Sequence, residues 1–514
     1  MYVVHSVDYL NYDDRVICDN HKEGRKDAKE SSETEENVEE QQLFIKDSAA
    51  ADDDHHDIEN PHVPLLTSLR KKLKPLSPLS SHCSIYKVPR RLLVKNPSAY
   101  SPRIVSIGPM HHRRKDLEAM EEYKQRFFAG FLERAQLSLE KYVEFVKDRE
   151  EKLRSCYADT IQIDSDKLME IVMVDAAFTV LLLVTFAEGN ISECFRIFNK
   201  PYYISSIIDD IFLLENQLPL FIIEELFAKI EIKINSSSKK EADEGGKGQE
   251  DEEETKGGGG EEKGGGDFFF IKLVCQFVDL RGDIGAEGYD PMKVKNRKIE
   301  HFLDCLWVCH QSSKEDSPVK EELQIPSRIP TATELHQAGV RFAKHSSTHL
   351  FDIEFRDGVL SIPQMFMGDY TESLYRNLLA FEQCHYLDDS RFTAYFCFMD
   401  QLIDSPKDID LLVKCGIIDN TLGDSLQAVN IFNSLAQGLL MTVENHYAYL
   451  REQLQTYCKE PSHKLKAALR QHYNTWKIAL RKHYLNTPWV VISVIAAVIL
   501  LVLTAVQTVF AVIS

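Results

Sequence analysis

IVMVDAAFTVLLLVTFA, residues Ile171 to Ala187, is apolar on almost every side of a helix, with Asp175 as its one charged residue. Its reading decides between a membrane span and a helix at the centre of a folded domain. A hydrocarbon core about 30 Å thick takes about 20 apolar residues, and a carboxylate is costly there. This run is shorter and carries Asp175 in its N-terminal third, so it is expected as a central buried helix. A helix that is apolar all round needs other helices on every side of it.

The flanking sequence supplies them. Residues 115–154 place Leu117, Met120, Phe127, Phe131, Ala135, Leu139, Tyr142 and Val146 on one stripe opposite charged residues. That spacing predicts a long amphipathic helix, with Gly130 as the point of a break. The Pro-containing stretch from Pro61 to Pro109 reads as irregular chain. Downstream, DDIFLLENQLPLFIIEELF at 209–227 predicts two helices. Asn216 and Gln217 end the first, and Pro219, which lacks a backbone donor but suits a first turn, opens the second.

In the second half, Asp290 and Pro291 open a helix with Ile299, Phe302, Leu303 and Leu306 on its apolar face. Thr331 and Glu334 have capping-box spacing. LFDIEFRDGVLSIP at 350–363 places Asp357-Gly358 between runs that contain Phe351, Ile353, Phe355 and Val359, a two-residue hairpin signal. Further helices are expected at 371–383, 391–404, 408–415 and 424–457. The fold class is therefore mainly α: a large helical domain with a small β-hairpin.

Charge patterning sets the domain limits. The chain has 60 basic and 80 acidic residues, a net of −20. Residues 1–60 hold 18 acidic and 6 basic side chains, and residues 236–267 hold 11 and 5. Both stretches are polar and low in complexity and are expected to be disordered, because they cannot bury enough apolar surface to offset ordering. The helical domain thus divides into 61–235 and 268–458, separated by the Gly/Glu-rich insertion 236–267. Eleven scattered cysteines favour packed thiols over a disulfide framework.

The C-terminus reads differently from Ile171–Ala187. From Tyr484 to Ser514 no side chain is charged, and 488–514 is expected as a single transmembrane anchor. Residues 459–487 precede it as a basic juxtamembrane helix, including Lys477, Arg481 and Lys482. Such a flank places the domain on the cytosolic side, and the N-terminus carries no signal-peptide pattern. The protein is expected to be tail-anchored and single-pass. Asn190-Ile191-Ser192 and Asn235-Ser236-Ser237 are formal glycosylation sequons that point the other way.

Motifs for catalysis are weak. No GxSxG, HExxH, P-loop or dinucleotide fingerprint occurs in a fitting context. His301, Cys305 and Cys309 recur every four residues beside His310, yet three ligands along one helix converge poorly on one ion, so core packing is the preferred reading. Cys384-His385 and Cys397 lack a third group for a nucleophile. No catalytic, cofactor or metal residue is therefore assigned. The candidate interaction patch is His111, His112, Arg113 and Arg114, a basic run after a Gly-Pro turn that suits an acidic partner or a phosphate. The clustering of basic residues beside the anchor argues against nucleic-acid binding.

Five blocks carry a resemblance: IYKVPRRLLVKNPSAYSPRIVSIGPMHH from Ile85, FLLENQLPLFIIEELF from Phe212, IPTATELHQAGVRF from Ile329, TESLYRNLLAFEQCH from Thr371 and PKDIDLLVKCGII from Pro406. Together with Pro488-Trp489 at the start of the anchor, they are similar to the signature blocks of the plant domain of unknown function 247 family, also called uncharacterised protein family 0481. Met110 and Ala176-Ala177 depart from its usual pattern. The resemblance implies plasma-membrane association and no assigned biochemistry. In some grass members it implies a pollen-side role in self-incompatibility. Within those blocks, Glu215, Asn216 and Gln217, and Glu382, Gln383, Cys384 and His385, read as helix-junction locks. The expected function is non-enzymatic recognition or signalling with a membrane on one side and a protein or peptide partner on the other. The alternative is a membrane-tethered hydrolase.

Overall fold

The computed structural model describes residues 62–73, 80, 82–112, 114–188, 201–230, 265–278, 297–311, 328–386, 388–440, 446–460 and 488–513. Residues 1–60, the insertion up to residue 264, both sequons, Arg113, and Lys477, Arg481 and Lys482 lie outside that set. The chain divides into two units, residues 1–77 and 78–514.

The first unit contributes helix α1 (Val63–Leu73), where irregular chain was expected. Pro64 occupies its first turn, where a missing N–H costs no intrahelical bond. Val63, Leu65, Leu66 and Leu69 of this helix are exposed.

The second unit opens with a short helix α2 (Arg90–Leu93) and a 3₁₀ turn at Pro97–Tyr100. The long helix expected at 115–154 is three helices: α3 (Glu118–Ala135), α4 (Leu139–Lys147) and α5 (Glu150–Ser155). The break falls at Gln136, whose φ of 50° ends α3 in the left-handed region, and Ser138 caps α4 by accepting from the Lys141 N–H. Gly130 continues the helix, and a Cβ there would lie 3.6 Å from a methyl group of Leu181. Its small size suits close approach to helix α6 (Ser165–Ala187).

Helix α6 is the centre of the unit, as its composition predicts. Asp164 caps its N-terminus, and nearly every side chain from Leu168 to Val184 is buried. By length and composition alone it would also suit a membrane span. Its burial shows instead a core helix, packed by α3, by α4, by α8 (Leu220–Phe227) and by α9 (Gly265–Val278). Between α7 (Pro201–Ile211) and α8, Pro219 occupies the cap position of α8. Asn216 and Gln217 sit in the link, not at a helix end.

Helix α10 (Phe302–Cys309) begins after His301, which caps it. Ile299 precedes the helix, and Asp290-Pro291 lie outside the described residues. Helix α11 (Ala332–Gln337) opens on the expected Thr331–Glu334 capping box. Strands β1 (Arg341–Lys344), β2 (Glu354–Arg356) and β3 (Val359–Ile362) form a sheet in the order β1-β3-β2. The β2–β3 hairpin turns at Asp357-Gly358, both at positive φ, as an Asp-Gly turn should. Strand β1 joins β3 in parallel, and β4 (Met365–Met367) pairs in parallel with β5 (Ile418–Asn420). These additions to the expected hairpin are strands of three or four residues, too short to display an alternating pattern.

Helices α12 (Thr371–His385), α13 (Arg391–Leu402) and α14 (Pro406–Lys414) follow the expected order. The run expected as one helix at 424–457 is α15 (Ser425–Leu435) and α16 (Ala448–Lys459). Gly438, at φ 81°, lies against the Arg91 carbonyl between them. Helix α17 (Pro488–Ile513) is 26 residues long, and its described side chains are exposed.

Candidate functional site

Residues 101–112 cross the core as irregular backbone, and buried N–H groups without a helix or sheet partner need side-chain acceptors. Asp210, on the last turn of α7, supplies three. Its Oδ1 accepts from the Arg103 N–H at 2.9 Å, and its Oδ2 accepts from Ile104 and Val105 at 2.7 and 2.9 Å. Asn216 continues the series. Its Oδ1 accepts from Ile107, while its Nδ2 donates to the carbonyls of Val105 and Asp210.

Asp175 of α6 takes the next amide, Gly108, on Oδ2 at 2.8 Å, and its Oδ1 lies 2.6 Å from Lys124 Nζ. The Lys124 and Asp175 side chains are 0% and 1% exposed. Lys124 also donates to the Ser106 carbonyl and to Glu121. Burial pushes the Asp175 carboxyl up to about 6, against the pull of Lys124. Burial also works against the Lys124 ammonium, but Asp175 and Glu121 overcome it and raise its pKa. Both groups are charged at neutral pH. Gly108 has φ 78°, and a Cβ there would meet the Gln217 carbonyl at 2.6 Å.

The chain leaves this junction at the candidate patch. His111 Nε2 lies 3.7 Å from Glu215, whose other oxygen accepts from the Val88 N–H. Burial, reinforced by Arg114, lowers His111 to about 4, and burial also lowers His112. Arg114 is ion-paired with Asp116. The stretch therefore carries less positive charge than its sequence suggests, because both imidazoles are neutral.

A second junction joins α12, α13 and α10. Ser390, at the cap position of α13, makes no side-chain cap bond. Glu382 of α12 does that work: Oε1 accepts from the Thr393 N–H and hydroxyl, both at 2.7 Å, and Oε2 accepts from the Phe392 N–H at 2.8 Å and from Trp307 Nε1 at 3.3 Å. A carboxylate at a helix N-terminus satisfies orphan donors and meets the positive end of the dipole. Gln383 bonds Arg91, Thr393 and both backbone groups of Leu440. Asn377 accepts from the Leu214 N–H and donates to the Ala99 carbonyl.

Burial raises Glu382 to about 7 from its ordinary 4.5. Between those values the folded chain holds a proton that the unfolded chain has released, so stability falls as pH rises through that window. The contribution is complete below 4.5 and lost above 7, and is at most about 3 kcal/mol. Glu382→Gln is expected to flatten the fall in melting temperature between pH 5.5 and pH 8, read by circular dichroism. An unchanged pH slope in the variant would refute this titration.

His301 Nδ1 accepts from the Asp304 N–H at 3.1 Å, so its other nitrogen carries the proton and donates to the Ser84 carbonyl at 3.0 Å. Burial holds it neutral, with a pKa of about 4. It faces away from the role of metal ligand imagined beside Cys305 and Cys309. His310 likewise bonds the Leu306 carbonyl. In their place Cys275, from α9, joins Cys305 and Cys309, and the three sulfurs lie within 4.8 Å of one another. Cys384 and Cys397 are pushed up to about 11 by burial, and His385 is engaged with the Tyr86 hydroxyl at 2.9 Å. Burial thus favours the protonated form of both thiols at neutral pH.

Sequence reading identified Glu215, Asn216, Gln217, Glu382, Gln383, Cys384 and His385 as locks, and of the last two His385 bonds the Tyr86 hydroxyl. It missed Asp210, Asp175, Lys124 and Cys275, whose partners are remote in sequence. An open groove of about 600 Å³ lies between the β2–β3 turn and α16, lined by Phe355, Asp357, Tyr449, Glu452, Tyr457 and Glu460 among others.

Comparison with known proteins agrees with the signature blocks. A family model described as "Plant protein of unknown function", DUF247, matches residues 85–503. The chain is similar to "UPF0481 protein At3g47200" of Arabidopsis thaliana, at 26% identity over 460 residues, covering 84% of this chain and 87% of the relative. It is also similar to "Putative UPF0481 protein At3g02645" of the same plant, at 23% identity over 500 residues, covering 82% and 89%. No solved structure matches the chain. With most of its length covered, from the loop held by Asp210 and Asn216 to the C-terminal helix, the chain belongs to the DUF247 family of plant proteins of unknown function.

Proposed function

We propose that this protein is a non-enzymatic recognition or signalling protein, tethered to a membrane by α17 with its helical domain in the cytosol. The observation that carries the reading is α17 itself. Its 26 residues contain no charge, and the described apolar side chains are exposed where those of α6 are buried. At about 1.5 Å per residue such a helix exceeds a hydrocarbon core of about 30 Å. The non-enzymatic part is supported by how the polar side chains are used. Glu382, Asp210, Asn216 and Asp175 spend their acceptors on backbone amides, and the thiols of Cys384 and Cys397 are held protonated. The groove beside α16 offers a partner surface of tyrosine rings and carboxylates, which suits a basic protein segment.

Membranes from plant protoplasts expressing the full chain, washed in alkaline carbonate, test the tether. The full chain is expected in the pellet, and a chain ending before Pro488 in the supernatant. Release of the full chain would overturn the reading. The plasma membrane as location, and the narrower role of a pollen self-incompatibility determinant, rest on family resemblance. Expression confined to pollen is the result expected of the latter, and absence from pollen would exclude it.

A further inference from the structure

We propose that Cys275, Cys305 and Cys309 form a three-sulfur binding site for a soft monovalent metal ion, Cu(I), at the α9–α10 contact. Cys275 Sγ lies 3.4 Å from Cys305 Sγ, and all three sulfurs fall within 4.8 Å of one another. An ion at the centre of a sulfur triangle, with metal–sulfur bonds of about 2.3 Å, needs sulfurs about 4 Å apart. The separation of 3.4 Å and the bound of 4.8 Å on the others lie within about 1 Å of that value, so metal entry needs only small side-chain adjustments.

The chemistry of the set selects the ion. All three donors are thiols, which favour soft ions such as Cu(I) and Zn(II) over hard ones. Structural Zn(II) takes four ligands. Among the described residues no histidine, aspartate or glutamate completes a fourth position, and all three cysteines are buried, which keeps water from filling it. A three-sulfur site therefore favours the ion that accepts three-coordination.

Helical geometry explains how the site forms from residues far apart. Cys305 and Cys309 are one turn apart on α10 and so share a face. Cys275 comes from α9, which packs against α10. Sulfur hydrogen bonds with Cys275 and Cys309, and after them burial, raise the Cys305 thiol well above its ordinary value. Binding breaks three S–H bonds, forms three Cu–S bonds and releases three protons to solvent, with no change of oxidation state. Affinity should accordingly rise with pH. The bound ion would fasten α9, the helix that follows the Gly/Glu-rich insertion, to α10.

The test uses the purified full chain in detergent, reduced and anaerobic, titrated with Cu(I) against bicinchoninate as a coloured competitor. One Cu(I) per chain is expected at high affinity. Cys305→Ser is expected to weaken it at least a hundredfold, and Cys397→Ser to leave it unchanged. Circular dichroism of each variant separates loss of the site from loss of fold, and Cys275→Ala serves if Cys305→Ser unfolds. X-ray absorption at the copper edge is expected to count three sulfurs. Equal uptake by the wild type and Cys305→Ser, no uptake by a folded reduced chain, or preference for Zn(II) would each overturn the proposal. A mass lower by two hydrogens under non-reducing conditions, mapped to Cys275 and Cys305, would assign the cluster to a disulfide instead.

Discussion

Replacing Lys124 by methionine is expected to cost about 3–5 kcal/mol of stability, since it leaves the Asp175 carboxylate buried without its cation. Asp175→Leu should cost a similar amount, because it strands the Lys124 ammonium and the Gly108 N–H together. Exposed pairs in the same protein, such as Arg126–Glu122, should give about 0–1 kcal/mol by comparison. The distinguishing result is the double variant. Lys124→Met combined with Asp175→Leu removes both charges and fills the space with apolar side chains, so it should recover much of the combined loss. Urea unfolding of the four chains measures the cycle. Additive losses would mean that the two charges are not coupled.

Asp210→Ala is expected to be comparably severe, for a different reason. Three backbone N–H groups of residues 103–105 lose their acceptor at once, and an unsatisfied buried donor costs about 1–3 kcal/mol, so the total is about 4 kcal/mol. Asp210→Asn is informative beside it. The amide oxygen can still accept from Ile104 and Val105, which share one carboxylate oxygen, and only the Arg103 bond is lost. The asparagine variant should therefore lose about 1–2 kcal/mol. Equal losses in the two variants, measured by chemical denaturation, would show that the hydrogen bonds are not what Asp210 contributes.

The central helix was legible because its apolar run carries Asp175, which favours a buried position over a bilayer, although the helix as folded is 23 residues long and its length alone would not have decided. The Thr331–Glu334 box and the Asp357-Gly358 turn were legible because each is local and its geometry is written in two or three residues. Places where the reading failed are those decided by tertiary contact. Gly130 stays helical against Leu181, and the left-handed Gln136 ends the helix with no glycine or proline to signal it. Three-residue strands such as β4 and β5 carry no period of their own. They exist because a partner lies alongside.

The same division holds at the polar junctions. Asn216, Gln217, Glu382 and Gln383 stand out as polar residues inside apolar helical blocks, and the structure uses all four as locks. Lys124 carried a signal that was available. It sits on the apolar stripe with Met120, Phe127 and Phe131, where a lysine requires a buried partner. Which carboxylate answers it depends on how α3 meets α6. The sulfur cluster was half visible as Cys305 and Cys309, while Cys275 lies thirty residues away on another helix.

Buried polar side chains, Asp210, Asn216, Asp175 and Glu382, serve as acceptors for backbone amides that no helix or sheet satisfies. Native-state amide hydrogen exchange reads this directly at Ile104, Val105, Ile107, Gly108, Phe392 and Thr393, whose N–H groups all donate to side-chain oxygens. These amides are expected to exchange in the slowest class, alongside the core of α6, and Asp210→Ala is expected to accelerate the first two selectively. Exchange of the 104–108 amides at the rate of an exposed loop in the wild-type chain would contradict this role.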